Sequence, residues 1–171
     1  TYYENGWLDM MRSKLGLEKN NSEDEALCLE LIQNFSLTET DMTLFFRHLG
    51  EMEKSQPPES IIEVVRPAFY SDELPDNARD GMVAWAEKYL DRLQQENRSD
   101  QWRSDAMNSV NPLYVLRNYL AQQAIDNAEQ GDYSMIHELQ EVLKTPYTLQ
   151  EGKEHLAGKR PEWARTRPGC S

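Results

Sequence analysis

Asn108-Ser109-Val110-Asn111-Pro112-Leu113-Tyr114-Val115-Leu116-Arg117-Asn118-Tyr119-Leu120-Ala121 is the stretch on which the fold turns. Asn111 followed by Pro112 has the chemistry of a helix start. Asn accepts from the free N–H groups of a first turn, and Pro carries a helical φ and lacks an N–H that would go unpaired. Behind the pair, Tyr114, Val115, Leu116, Tyr119, Leu120, Ala124, Ile125 and Ala128 recur at helical spacing, and Gly131 closes the run. The pattern predicts a helix over 112–129.

Outward from it, the same period repeats. Toward the N-terminus, Tyr3, Trp7, Leu8, Met11 and Leu15 share one helical face, and Gly16 is a stop. Ser22 with Glu25 three residues on reads as a capping box before Ala26, Leu27, Leu29, Leu31, Ile32 and Phe35. Thr38 or Thr40 is placed to cap a third helix holding Met42, Leu44, Phe45, Phe46 and Leu49. After Pro57-Pro58, the segment Ile61-Ile62…Val64-Val65…Ala68-Phe69 is strand-like by propensity. Ser60 and Glu63 read as a cap, and Pro67 truncates the segment, so a short helix is expected. Pro75 opens a long helix lined by Val83, Trp85, Ala86, Tyr89, Leu90 and Leu93, and 97–110 is a further short helix with Trp102, Ala106 and Met107.

Toward the C-terminus, Met135, Ile136, Leu139, Val142 and Leu143 mark a helix over 133–144 that Pro146 ends. From there the text is rich in Pro and Gly. No alternating strand pattern and no fixed-period repeat occurs. The expected fold is all-α: an irregular bundle of seven or eight helices over residues 1–145, followed by an irregular, mildly basic C-terminal arm over 146–171.

Composition limits the function classes. The 171 residues carry 18 Lys plus Arg and 30 Asp plus Glu, a formal charge of −12. Such an acidic chain suits neither nucleic acid nor an anionic membrane surface as a partner. Mean hydropathy is −0.79, and no apolar run approaches the roughly 20 residues of a membrane span. The first hundred residues hold 10 basic and 21 acidic side chains, whereas 153–171 hold five and two. A basic tail of this kind suits either an acidic surface or plain solvent. Cys28 and Cys170 make no disulfide framework, so a reducing, cytoplasmic compartment is expected. Thr1-Tyr2-Tyr3-Glu4-Asn5 has no secretory pattern, and the missing initiator Met suggests a piece of something longer.

Motifs for chemistry are sparse. His137-Glu138-Leu139-Gln140-Glu141 begins like a zinc-protease helix, but Glu141 stands where the second His belongs. His48, His137 and His155 are dispersed, and no glycine-rich phosphate loop or nucleophile elbow occurs. Asp72, Glu73, Asp76 and Asp80 cluster near a helix start, where the helix dipole accounts for them. Asp105 to Pro112, with Arg117 and Asn118 beyond, is a polar junction of cap-type residues. It is suited to tying helix ends, or to facing a ligand. The residues alone yield no catalytic, cofactor-binding or metal-binding assignment.

The 108–121 block closely resembles a hallmark near the C-terminus of the selenoprotein O family, also called the YdiU family. Lys14-Leu15-Gly16-Leu17, Asp41-Met42-Thr43-Leu44-Phe45-Phe46-Arg47, Trp85 to Leu93, Gly131-Asp132-Tyr133, Pro146-Tyr147 and Pro161-Glu162-Trp163-Ala164 resemble further family segments in the same order. The resemblance implies a larger protein with a protein-kinase-like fold, of which this is the helical C-terminal part. Its members are pseudokinases that transfer AMP from ATP, with Mg²⁺ or Mn²⁺, onto Ser, Thr or Tyr hydroxyls of proteins. The implied partners are the upstream kinase-like core and protein substrates. The nucleotide and metal ligands of that chemistry lie upstream of this segment, so none is assigned here. Asn108, Asn111, Pro112, Tyr114, Arg117 and Asn118 are hallmark positions with an expected structural role. Family members end in a Cys or selenocysteine near the C-terminus. Cys170 is either that redox residue or one just upstream of it, and pairing with a cysteine outside this segment is a further reading. A stand-alone acidic interaction module without catalysis is the alternative reading.

Overall fold

The computed structural model describes residues 2–169, with side chains from residue 6 onward. Among these residues there are nine α-helices and no sheet. They divide into two compact units, Thr1–Asn111 and Pro112–Ser171.

In the first unit, α1 (Tyr2–Leu15) ends as expected at Gly16, whose φ of +70° suits a residue without Cβ. Leu17 N donates to Arg12 O at 2.9 Å, the long bond of a Schellman stop. The second helix, α2 (Asp24–Phe35), begins later than the Ser22 cap requires, and no side chain caps it. Asn21 Oδ1 takes Glu23 N at 2.9 Å, and the Asp24 carboxylate accepts from Asn21 N at 2.9 Å. The capping box fails because Asp24 is drawn inward by two arginines.

The third helix, α3 (Met42–Leu49), is capped by Asp41, not by Thr38 or Thr40. Asp41 Oδ1 accepts from Leu44 N at 3.0 Å. Thr40 instead makes an isolated antiparallel bridge to Phe69. The β-branched segment forms 3₁₀ turns at Pro58–Ser60 and Arg66–Ala68 around the short α4 (Ile61–Val64), as burial of Ile61, Ile62 and Val65 demands. The long α5 (Asp76–Gln94) follows, then α6 (Asp100–Val110), capped by Ser99 Oγ accepting from Trp102 N at 3.1 Å.

The middle of α5 anchors the core. Trp85 and Tyr89 are fully buried and stacked, with ring centroids 5.0 Å apart. Trp85 Nε1 donates to Leu27 O at 3.0 Å, and Tyr89 Oη donates to Leu15 O at 2.7 Å. Each large ring thereby contributes apolar burial while its polar atom is satisfied. Phe35, Phe45 and Phe46 meet edge to face beside them.

In the second unit, α7 spans Asn118–Glu129, not 112–129. The reason is competition for the groups a cap would use. Asn111 Oδ1 accepts from Lys14 Nζ, and the N–H groups of Leu113 and Tyr114 both donate to Pro146 O, at 2.8 and 3.0 Å. Residues 112–117 are therefore pinned as irregular chain. The next helix, α8 (Ser134–Val142), follows Gly131, whose φ is +86°. Residues 146–169 contain a 3₁₀ turn at Glu154–Leu156 and the short α9 (Glu162–Arg165). Leu156 and Ala164 are buried with Tyr114, Tyr119, Leu120, Ala124, Leu139 and Val142, so this stretch supplies part of the unit's core.

Candidate functional site

The hallmark positions fall into both units. In the first, α6 ends beside α1 and α3. Arg47 Nη1 donates to Asn108 O at 3.2 Å and to Asn111 O at 3.1 Å, which satisfies carbonyls that the end of α6 would otherwise leave free. Asn111 is buried, donates from Nδ2 to Lys14 O at 2.9 Å, and accepts from Lys14 Nζ at 3.2 Å. The same ammonium sits 5.1 Å from the centre of the Phe46 ring, and its partial burial lowers the Lys14 pKa. Lys14, Phe46, Arg47, Asn108 and Asn111 thus form one knot.

In the second unit, Pro112 begins the irregular chain and Asn118 begins α7 after the extended Arg117. Tyr114 is buried, and its hydroxyl accepts from Gln150 N at 3.1 Å. Tyr119 meets Trp163 edge to face at 6.2 Å. Basic residues of 153–171 are ion-paired within this unit, Arg165 with its neighbour Glu162 among them. Lys153 pairs with Glu138 at 2.6 Å, and Arg167 pairs with Asp126 at 2.7 Å, which holds Asp126 below the usual carboxylate range. Between α7, α8 and residues 155–161 lies an open cleft of about 530 Å³ that includes Gln123, Asn127, Ser134, Glu138 and His155.

A buried ionic network in the first unit was not foreseen. Asp24 is completely buried and accepts from Arg92 Nε and Arg12 Nε, both at 2.7 Å. Arg92 also pairs with Glu96 at 2.8 Å and donates to Lys19 O. Burial opposes the charge on Asp24, but bonds from Arg92, Asn21 and Arg12 outweigh it and lower the pKa. Arg103, also buried, donates to Met52 O and to Tyr89 Oη, the latter at 3.3 Å. A signal was present, since Arg92 stands seven residues after Trp85 on the inward face of its helix. Its partner Asp24 is 68 residues away in sequence, which periodicity does not reach.

Cys28 is buried, and burial, with Asp24 nearby, raises its pKa to about 11, so it is no thiolate nucleophile at neutral pH. His48 pairs with Glu51 at 3.1 Å, and His155 lies 3.7 Å from Glu138. His137 and the acidic residues Asp72, Glu73, Asp76 and Asp80 are exposed. Among the described residues no group of three or more His, Cys, Asp or Glu converges as a metal site. Cys170 lies outside the described residues.

Comparison with known proteins places this arrangement. A family model described as protein adenylyltransferase SelO matches residues 1–144. The protein nucleotidyltransferase YdiU of Rhodopirellula baltica is 43% identical over 181 residues, covering 99% of this chain and 34% of its own length. Those of Tolumonas auensis and Aromatoleum aromaticum are 47% and 44% identical over 162 residues, each covering 95% of this chain. The chain spans about a third of the length of these curated relatives.

Proposed function

The chain belongs to the SelO family of protein adenylyltransferases, and from this we propose that it is the C-terminal helical part of an enzyme that transfers AMP from ATP to Ser, Thr or Tyr hydroxyls of proteins. The observation that carries the reading is the family match over residues 1–144 in a chain only a third as long as its relatives. No nucleotide or metal ligand is assigned to a residue of this chain. No acidic cluster of metal-site geometry occurs among the described residues, and the positive-φ glycines, Gly16, Gly131, Gly152 and Gly169, are scattered instead of grouped in a phosphate loop. On this reading ATP and Mg²⁺ or Mn²⁺ belong to a kinase-like core upstream, which is the first proposed partner; protein substrates are the second.

On this reading, α1 to α9 are scaffold, and Asn108, Asn111, Pro112, Tyr114, Arg117 and Asn118 hold chain path instead of substrate. The knot of Lys14, Arg47 and Asn111 supports that role. A cytoplasmic setting belongs to the same proposal, in keeping with the free, buried thiol of Cys28. Among the described residues no helix is long and apolar enough to cross a membrane. The test is incubation with labelled ATP and Mg²⁺ or Mn²⁺. The longer protein encoded by the intact reading frame is expected to label protein hydroxyls, and the 171-residue chain is not. Label transfer by the 171-residue chain overturns the scaffold assignment. Absence of transfer by the longer protein overturns the enzyme reading and favours an interaction module.

A further inference from the structure

A shallow groove of about 220 Å³ runs between α1 and α6, with Ser13, Leu17, Trp102, Ala106 and Val110 in its walls. Trp102, Ala106 and Val110 are spaced four apart and so share one face of α6. Met10 stands on α1 three residues before Ser13. Met10, Trp102 and Val110 are 46%, 39% and 37% exposed, apolar area that this unit leaves uncovered. The Trp102 wall is held in place: the Arg98 guanidinium lies 4.6 Å from the ring centre and is itself gripped by Glu18 at 2.8 and 2.9 Å. Ser13, Gly16, Ala106 and Ser109 are small among the lining residues.

We propose that this groove seats the segment of the longer protein that immediately precedes Thr1, docked as a helix with an apolar face and a basic margin. The inference rests on the reading that such a longer protein exists. Two observations select this occupant. The curated relatives are about three times as long, and this chain matches their C-terminal part, so the absent chain enters at the start of α1. At about 1.5 Å per residue, Ser13 is roughly 17 Å from that entry point, a distance that about five extended residues span. Charge selects the margin. Residues 1–111 carry 22 acidic and 11 basic side chains; Glu18 of the lining, Asp9 on α1 and Asp105 on α6 are exposed, with Glu18 paired to Arg98 and Asp9 to Arg12. A second copy of this unit would bring like charge to the same rim.

The test is hydroxyl-radical footprinting of Met10 and Trp102, both readily oxidised, in the 171-residue chain and in the longer protein. At least fivefold slower oxidation of both in the longer protein is expected. In the longer protein, Ala106→Glu, or Val110→Glu as an independent variant, is expected to restore the oxidation of Met10. Equal rates in the two proteins overturn the proposal, whatever the variants do. So does protection that persists in folded forms of both variants, or protection of the 171-residue chain that grows with its own concentration. AMP transfer is measured on the same samples. Protection without transfer refutes the proposed activity alone, and transfer without protection refutes the docking alone.

Discussion

Asp24→Asn removes one charge and almost no volume from the buried network. Asp24 is 0% exposed and takes three donors on two oxygens: Arg92 Nε and Arg12 Nε at 2.7 Å and Asn21 N at 2.9 Å. In the variant one oxygen becomes an NH₂ facing a donor, and Arg92, itself 4% exposed, keeps only Glu96 as counter-charge. Orphaning a buried charge costs about 3–5 kcal/mol, and the isosteric change belongs near 3. At roughly 3 °C per kcal/mol for a chain of this size, Tm falls by about 10 °C. Urea unfolding and thermal melts at pH 7 measure both. The pH dependence identifies the cause. The folded-state pKa of Asp24 is lowered, so its contribution is complete above the unfolded value of about 3.9 and is lost as pH falls through the folded value. The gap between wild type and variant should therefore close below about pH 4. A difference under about 1 kcal/mol at pH 7, or a gap of constant size down to pH 2, refutes the reasoning.

Three other outcomes follow from single contacts. Gly81→Ala puts a Cβ 2.5 Å from Asn34 Oδ1, and Asn34 already donates to Gly81 O at 3.1 Å. The overpacking outweighs the helix-propensity gain of about 1 kcal/mol, and a net loss of about 1–2 kcal/mol is expected in urea titration. Asn111→Ala unties Lys14 O and Nζ and should cost about 1–2 kcal/mol, with faster amide exchange at the end of α6 as its local mark. Cys28 should resist iodoacetamide at pH 7.5 and react fully in denaturant, read by peptide mass spectrometry; modification of the native chain contradicts the burial and the pKa of about 11.

The sequence by itself determined the helical class and most of the helices, because apolar spacing is a local property. Trp85 and Tyr89 stand on the inward face of α5 wherever that helix packs, and Gly16 ends α1 through its own φ of +70°. Ordered motif blocks likewise carried the family. Tertiary structure decided where the caps went and what lay buried with charge. Asn111 and Pro112 have the chemistry of a helix start, yet Lys14, 97 residues away, takes the side chain, and Pro146 takes the next two N–H groups. Ser22 lost its capping role because Asp24 found Arg12 and Arg92. A cap is a contest for a few hydrogen-bonding groups worth about 1 kcal/mol each, so a distant partner that reaches them first resets the boundary. Burial of Asp24, Arg92 and Glu96 is decided by folding alone, since each charge enters the interior only when its partners arrive together.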